Sequence, residues 1–138
     1  MYDRILLAVD HSDISKRAVL AARDLAKLSD GHIWVLHLRE RETGVRKVSM
    51  MDETADDANA VVTAALEVLT DAGVKARGEV RNTTHGYAAR EIAGDAKDYD
   101  ADVIVMGSRG RGDLAGLVLG STVHKVIHLT DRPVLVIR

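Results

Sequence analysis

The chain contains no cysteine, and that absence removes disulfides, thiolate metal sites and cysteine nucleophiles together. It is compatible with a reducing cytoplasm, the expected location. Long apolar runs are also missing. The first short one, Ile5 to Val9, is too brief and wrongly flanked for a signal peptide or a membrane span. Charge of one sign is missing too, because 19 basic and 21 acidic residues leave a formal charge of -2. No global positive field exists to hold a nucleic-acid backbone, so neither nucleic acid nor membrane is an expected partner. Proline occurs once, as Pro133, at the start of the last apolar run, where a missing N–H is tolerated.

What is present fits one domain over residues 1–138, with no repeat, linker or low-complexity segment. The chain has 138 residues, 46% of them hydrophobic, enough to fill a single core. Short aliphatic runs alternate with stretches of helical period, which points to a parallel sheet covered by helices. Five strands are predicted, at Ile5 to Val9, Ile33 to Leu38, Lys75 to Val80, Val103 to Met106 and Val134 to Ile137. The first, fourth and fifth are nearly continuous in aliphatic residues, as in strands buried on both faces.

Four helices are predicted between them, each with apolar residues three and four apart on one face. They span about Ser15 to Leu28, Glu53 to Ala72 with Gly73 as a left-handed cap, Ala88 to Lys97, and a last one from Ser121. The stretch from Arg39 to Met51 has mixed charge and no period, and reads as a solvated loop able to fold over a ligand.

After the fourth strand the sequence runs Gly-Ser-Arg-Gly-Arg-Gly-Asp-Leu-Ala-Gly-Leu-Val-Leu-Gly-Ser-Thr, from Gly107 to Thr122, and then enters the fourth helix. Strand, glycine-rich loop and helix in that order suit phosphate. Glycines let the backbone approach an anion, N–H groups at a helix start point outward, and the helix dipole favours negative charge. Ser121 and Thr122 add hydroxyl donors. A charged hydrogen bond is worth about 1.5–3 kcal/mol and the dipole about 0.3–1 kcal/mol, so several amides outweigh any one side chain. Arg109 and Arg111 either assist or are solvated. No Gly-x-x-x-x-Gly-Lys-Ser/Thr occurs, and no Gly-x-Gly-x-x-Gly follows the first strand.

Gly107, two residues, Gly110, nine residues, Gly120 and Ser121 form a pattern that resembles the ATP-binding universal stress proteins. So do the opening Arg-Ile-Leu-Leu-Ala-Val-Asp-His-Ser, the Ala-Asp-Val-Ile-Val-Met-Gly-Ser-Arg-Gly before the loop, and the closing Pro-Val-Leu-Val-Ile. The likeness spans essentially the whole chain. It implies an open α/β sheet of HUP or Rossmann-like type, strand order 3-2-1-4-5, with helices on both faces. Ligands of such sheets lie outside the carboxyl ends of the strands where chain order reverses, here between the first and fourth strands.

By the same resemblance Asp10 would accept hydrogen bonds from a ribose, although turn or helix capping is open to it as well; Ser12 and Asp13 can also cap. Adenine would lie at the end of the second strand, its edge read by backbone groups near His37 and Leu38, with Val9 below the ring. The cofactor implied is ATP, with Mg²⁺ as companion ion. The family pairs the edge at Val134 to Ile137 between subunits, so a homodimer is expected, and bare apolar edges are normally covered.

No metal site is expected. His124 and His128 are four apart on the last helix, but the metalloprotease glutamate is absent and no third ligand is apparent; a surface or dimer-facing pair is the reading. His11 either touches phosphate or covers the crevice. Trp34 reads as core. Three functions remain: a nucleotide-dependent regulator in stress response, which is preferred; a slow ATPase; and a nucleotide-free interaction module, against which the intact motif argues. Hydrolysis needs a base and a metal near the γ-phosphate. Asp13 and Asp113 are the nearby candidates, neither in a catalytic arrangement, so no enzyme is expected.

Overall fold

A computed structural model describes residues 1–41, 53–110 and 119–138. Its elements are β1 (Arg4–Ala8), α1 (Asp13–Ser29), β2 (His32–Arg41), α2 (Ala55–Asp71), β3 (Lys75–Thr84), α3 (Ala88–Asp98), β4 (Val103–Gly107), α4 (Ser121–Leu129) and β5 (Val134–Ile137). The strands form one parallel sheet in the order β3-β2-β1-β4-β5, the topology expected.

Alternation along the strands divides the core in two. Ile5 and Leu7 of β1, with Ile33, Val35, Val103 and Val105, face one side and pack against Ala18, Ala22 and Ala26 of α1 and Val62, Ala65 and Leu69 of α2. Leu6, Leu36, Ile104 and Met106 face the other and meet Ala89, Ile92 and Ala96 of α3 and Val123 and Val126 of α4. Burying each large aliphatic contributes about 1.5–3 kcal/mol. The alanine stripes let the helices lie close to the sheet, and all the alanines named are buried. Trp34 is half-buried, packing against the second cluster and tilted over Tyr99 with ring centroids 6.2 Å apart.

The helix ends follow local chemistry. Ser12 caps α1, its hydroxyl accepting from the Ser15 N–H at 3.1 Å. Thr54 and Asp57 form a reciprocal capping box on α2, which places the start two residues after the expected Glu53. Gly73 has a φ of 78°, the left-handed conformation expected after that helix.

One expectation fails at the second strand. Residues Arg39 to Arg41, read as the beginning of a solvated loop, continue β2 in register with Asn82 to Thr84 of β3. Charged side chains did not end the strand because the outer part of the β2–β3 ribbon has solvent beside it, and backbone pairing tolerates any residue that keeps its N–H. The remainder of that predicted loop, 42–51, lies outside the described residues.

Candidate functional site

The sheet order reverses at β1, with β2 on one side and β4 on the other, so a crevice opens past their carboxyl ends. Asp10 stands at its base. Its Oδ1 accepts from the Ser12 N–H at 2.8 Å and from the Ser12 hydroxyl at 2.5 Å, and its own N–H donates to Ser15 Oγ at 2.9 Å. Asp10 therefore shapes the turn into α1, while Ser12 supplies the cap. Both capping and turn-making are real roles here, divided between neighbours.

Strand β2 outruns β1 and leaves a main-chain ledge. The His32 N–H bonds to Asp3 O and the Val9 N–H bonds to Leu36 O, so even-numbered residues of β2 direct their peptide groups toward β1. By the same alternation Leu38 presents its N–H and C=O on the side where β1 has already stopped. His37 differs. Its backbone faces β3, and its imidazole, 3% exposed as a residue, turns inward with Nδ1 2.7 Å from Val9 O and Nε2 2.6 Å from Glu53 Oε1. Of the two residues expected at a base edge, Leu38 offers the open peptide.

Across the crevice, β4 ends at Gly107 and α4 begins after Gly120. A Cβ on Gly107 would lie 2.8 Å from Cγ2 of Ile14 on α1, so glycine is required for the close approach of strand and helix. The Ser108 N–H is bonded to Ile137 O and the Gly120 N–H to Ser108 O, each at 2.6 Å, which tethers the start of α4 to the end of β4. Gly120 is the N-cap of α4 and makes no side-chain cap, and the first turn carries no acidic residue. The leading N–H groups of that helix have no intrahelical partner. The helix start is thus electropositive, and its N-cap residue supplies no side-chain cap.

Val9, Asp10 and Leu38 line a single cavity with Gly107, Arg109, Gly110 and Thr122, and His37 contributes to its wall. It is an open cleft with about 620 Å³ of empty space when the solvent at its mouth is counted. Gly120 and Ser121 do not line it; Gly120 is buried behind and Ser121 is exposed. Arg111 and Asp113 lie outside the described residues. Asp13 is turned to solvent with Lys16 Nζ 3.6 Å away and does not reach the cavity.

The family model described as "Universal stress protein family" matches residues 1–138. The chain belongs to that family. Among its relatives, universal stress protein YxiE of Bacillus subtilis is 36% identical over 152 aligned positions, covering 100% of both chains. The solved structure of MJ0577, a universal stress protein of Methanocaldococcus jannaschii, superimposes with a TM-score of 0.81 at 26% identity, over 99% of this chain and 96% of that one. A universal stress protein of Archaeoglobus fulgidus solved in complex with dAMP has a TM-score of 0.74 at 22% identity, over 99% and 98% of the two chains.

Several residues of this universal stress protein that shape the cavity were not visible in the sequence. Ser15 is buried and holds the Asp10 N–H; it sits inside a helical run and looks like an ordinary small core residue. Glu53 meets two histidines, His11 and His37, from positions 42 and 16 residues away, and no motif links such spacings. His124 and His128 are exposed, their rings 4.6 Å apart. Two groups with shifted protonation lie away from the cavity. Asp95, then Glu79, hold the Arg81 guanidinium more firmly charged than usual, and burial pushes the Tyr99 hydroxyl up.

Proposed function

We propose that this chain binds an adenine nucleotide, ATP with Mg²⁺, in the crevice between β1 and β4, and acts as a nucleotide-dependent regulator in stress response. The observation that carries the reading is the start of α4. Its N-cap is a glycine without a side chain, its first turn lacks acid, and it borders a cavity floored by Gly107 and Gly110. An anion is the partner such a helix start favours.

The other end of the cavity suits a base. Leu38 supplies a donor and an acceptor from its own peptide groups, and Val9 and Leu36 supply an apolar surface. Asp10 lies between the two ends, where a ribose would meet its carboxylate. Gly107, Gly110 and Thr122 line the part of the cavity where the phosphates would lie, held largely by main-chain amides including those that open α4 from Ser121, with Gly120 as the glycine N-cap and Arg109 at the rim. Structures of the same fold solved with dAMP, cAMP and AMP support an adenine nucleotide as the ligand class, and the glycine pattern extends the site toward a triphosphate.

Binding rather than turnover is the proposed role. Hydrolysis would need a carboxylate aimed at the γ-phosphate, and Asp13 points to solvent. Among the described residues the edge strand β5 pairs only with β4, and its Leu135 is exposed; a second copy covering it would make the homodimer. Ligand at one hundred times its dissociation constant stabilises a fold by about 2.7 kcal/mol. A thermal melt should therefore rise with ATP and Mg²⁺, and a melt unmoved by either would favour a nucleotide-free interaction module.

A further inference from the structure

Three side chains from distant parts of the sequence converge beneath the turn that leads into α1. His11 Nε2 and His37 Nε2 stand 2.5 Å and 2.6 Å from the same oxygen, Oε1 of Glu53, and the two rings meet edge to face with centroids 5.7 Å apart. All three donor atoms lie within 4.8 Å of one another.

The arrangement poses a problem of donors and acceptors. Val9 O can only accept, so His37 Nδ1, 2.7 Å from it, must carry the proton. The neutral tautomer then leaves a lone pair on Nε2, aimed at a carboxylate oxygen at 2.6 Å. Two lone pairs at that distance repel unless a cation or an extra proton lies between them. The site is poorly hydrated, since the His37 and Glu53 side chains are only 4% and 14% exposed, and an unscreened contact there is costly.

We propose that His11, His37 and Glu53 form a binding site for a divalent transition-metal ion of the Zn²⁺ class. Two imidazoles and one carboxylate are a donor set that such ions take, with a water in the fourth position. The supports are already in place. The Nδ1–H of His37 is donated to a backbone carbonyl, the outer contact that fixes a histidine in the Nδ1–H tautomer that ligates through Nε2. The Glu53 backbone is fixed by Arg39, whose Nε donates to Glu53 O at 2.8 Å. Metal–donor distances of about 2.0–2.2 Å separate tetrahedral donors by roughly 3.3–3.6 Å, so each histidine nitrogen needs to draw back from the Glu53 oxygen by about 1 Å. The ion replaces the proton between His37 and Glu53 and ties the segment that leads into α2 to the sheet.

The test uses the whole chain, stripped of metal with a chelator and free of nucleotide, so it does not depend on the ATP reading. Titration with Zn²⁺ against a chromophoric competitor should give one ion per chain, and Co²⁺ in its place should develop the visible absorption of a low-coordinate nitrogen and oxygen site. His11→Ala and the isosteric Glu53→Gln should each weaken Zn²⁺ by more than about 100-fold, a larger loss than removal of an outer contact gives, with circular dichroism unchanged. The double variant His124→Ala, His128→Ala should bind as the parent does. Absence of stoichiometric binding, unaltered affinity in His11→Ala and Glu53→Gln, or loss confined to the His124, His128 pair would each overturn the proposal.

Discussion

Two helices begin at the same crevice and are treated in opposite ways. The start of α1 is closed from within: Ser12 caps it, Asp10 braces Ser12, Ser15 ties back to Asp10, and Asp13 adds negative charge in the first turn. The start of α4 has a glycine for its cap and no acid in its first turn. The proposed phosphate site rests on this difference, because a helix start with a glycine N-cap and no acid in its first turn favours an anion. In the proposed complex the acidic start would orient the nucleotide, since Asp10 would repel phosphate and accept from hydroxyls.

Substitutions can break or sharpen this contrast. The largest effect should come from Gly110→Val, which puts a branched side chain into the loop beside α4 and should abolish nucleotide retention while circular dichroism stays that of the parent; unchanged binding would refute the loop assignment. Gly120→Asp gives α4 the kind of cap that α1 has. It should lower ATP affinity by at least about tenfold, equivalent to 1.4 kcal/mol, as measured by calorimetry, whereas equal affinity would show that this helix start does not face phosphate.

Gly107→Ala forces a methyl against Ile14 and should cost about 1–3 kcal/mol in urea unfolding, with Ile14→Ala recovering part of it. Ser12→Ala removes the cap of α1 and should cost about 1 kcal/mol. Its effect on ATP should be small, because that helix start is not the one proposed to hold phosphate. A loss of affinity as large as that of Gly120→Asp would erase the distinction between the two helices.

The parallel sheet was legible because β1, β4 and β5 are short aliphatic runs and the helices between them carry alanine stripes at helical spacing, while the strand order was implied by the family resemblance alone. The glycine pattern and the N-terminal Val9-Asp10 pair marked both sides of the crevice. What escaped was set by tertiary contact. The continuation of β2 through Arg39 to Arg41 is imposed by the partner strand β3, which no local pattern reveals. The difference between His37 and Leu38 depends on which way each peptide faces, a matter of register with β1. Glu53 lies before a helix and looked like its first residue; only folding brings it to His11 and His37.

The ledge at Leu38 exists because one strand extends beyond its neighbour. Recognition built on such an overhang is written in strand length and not in residue identity, so evolution can exchange the aliphatic group at that position without changing which heterocycle is accepted. Leu38→Val should be silent toward base preference in a competition assay. Leu38→Pro, which deletes the donor, should not be.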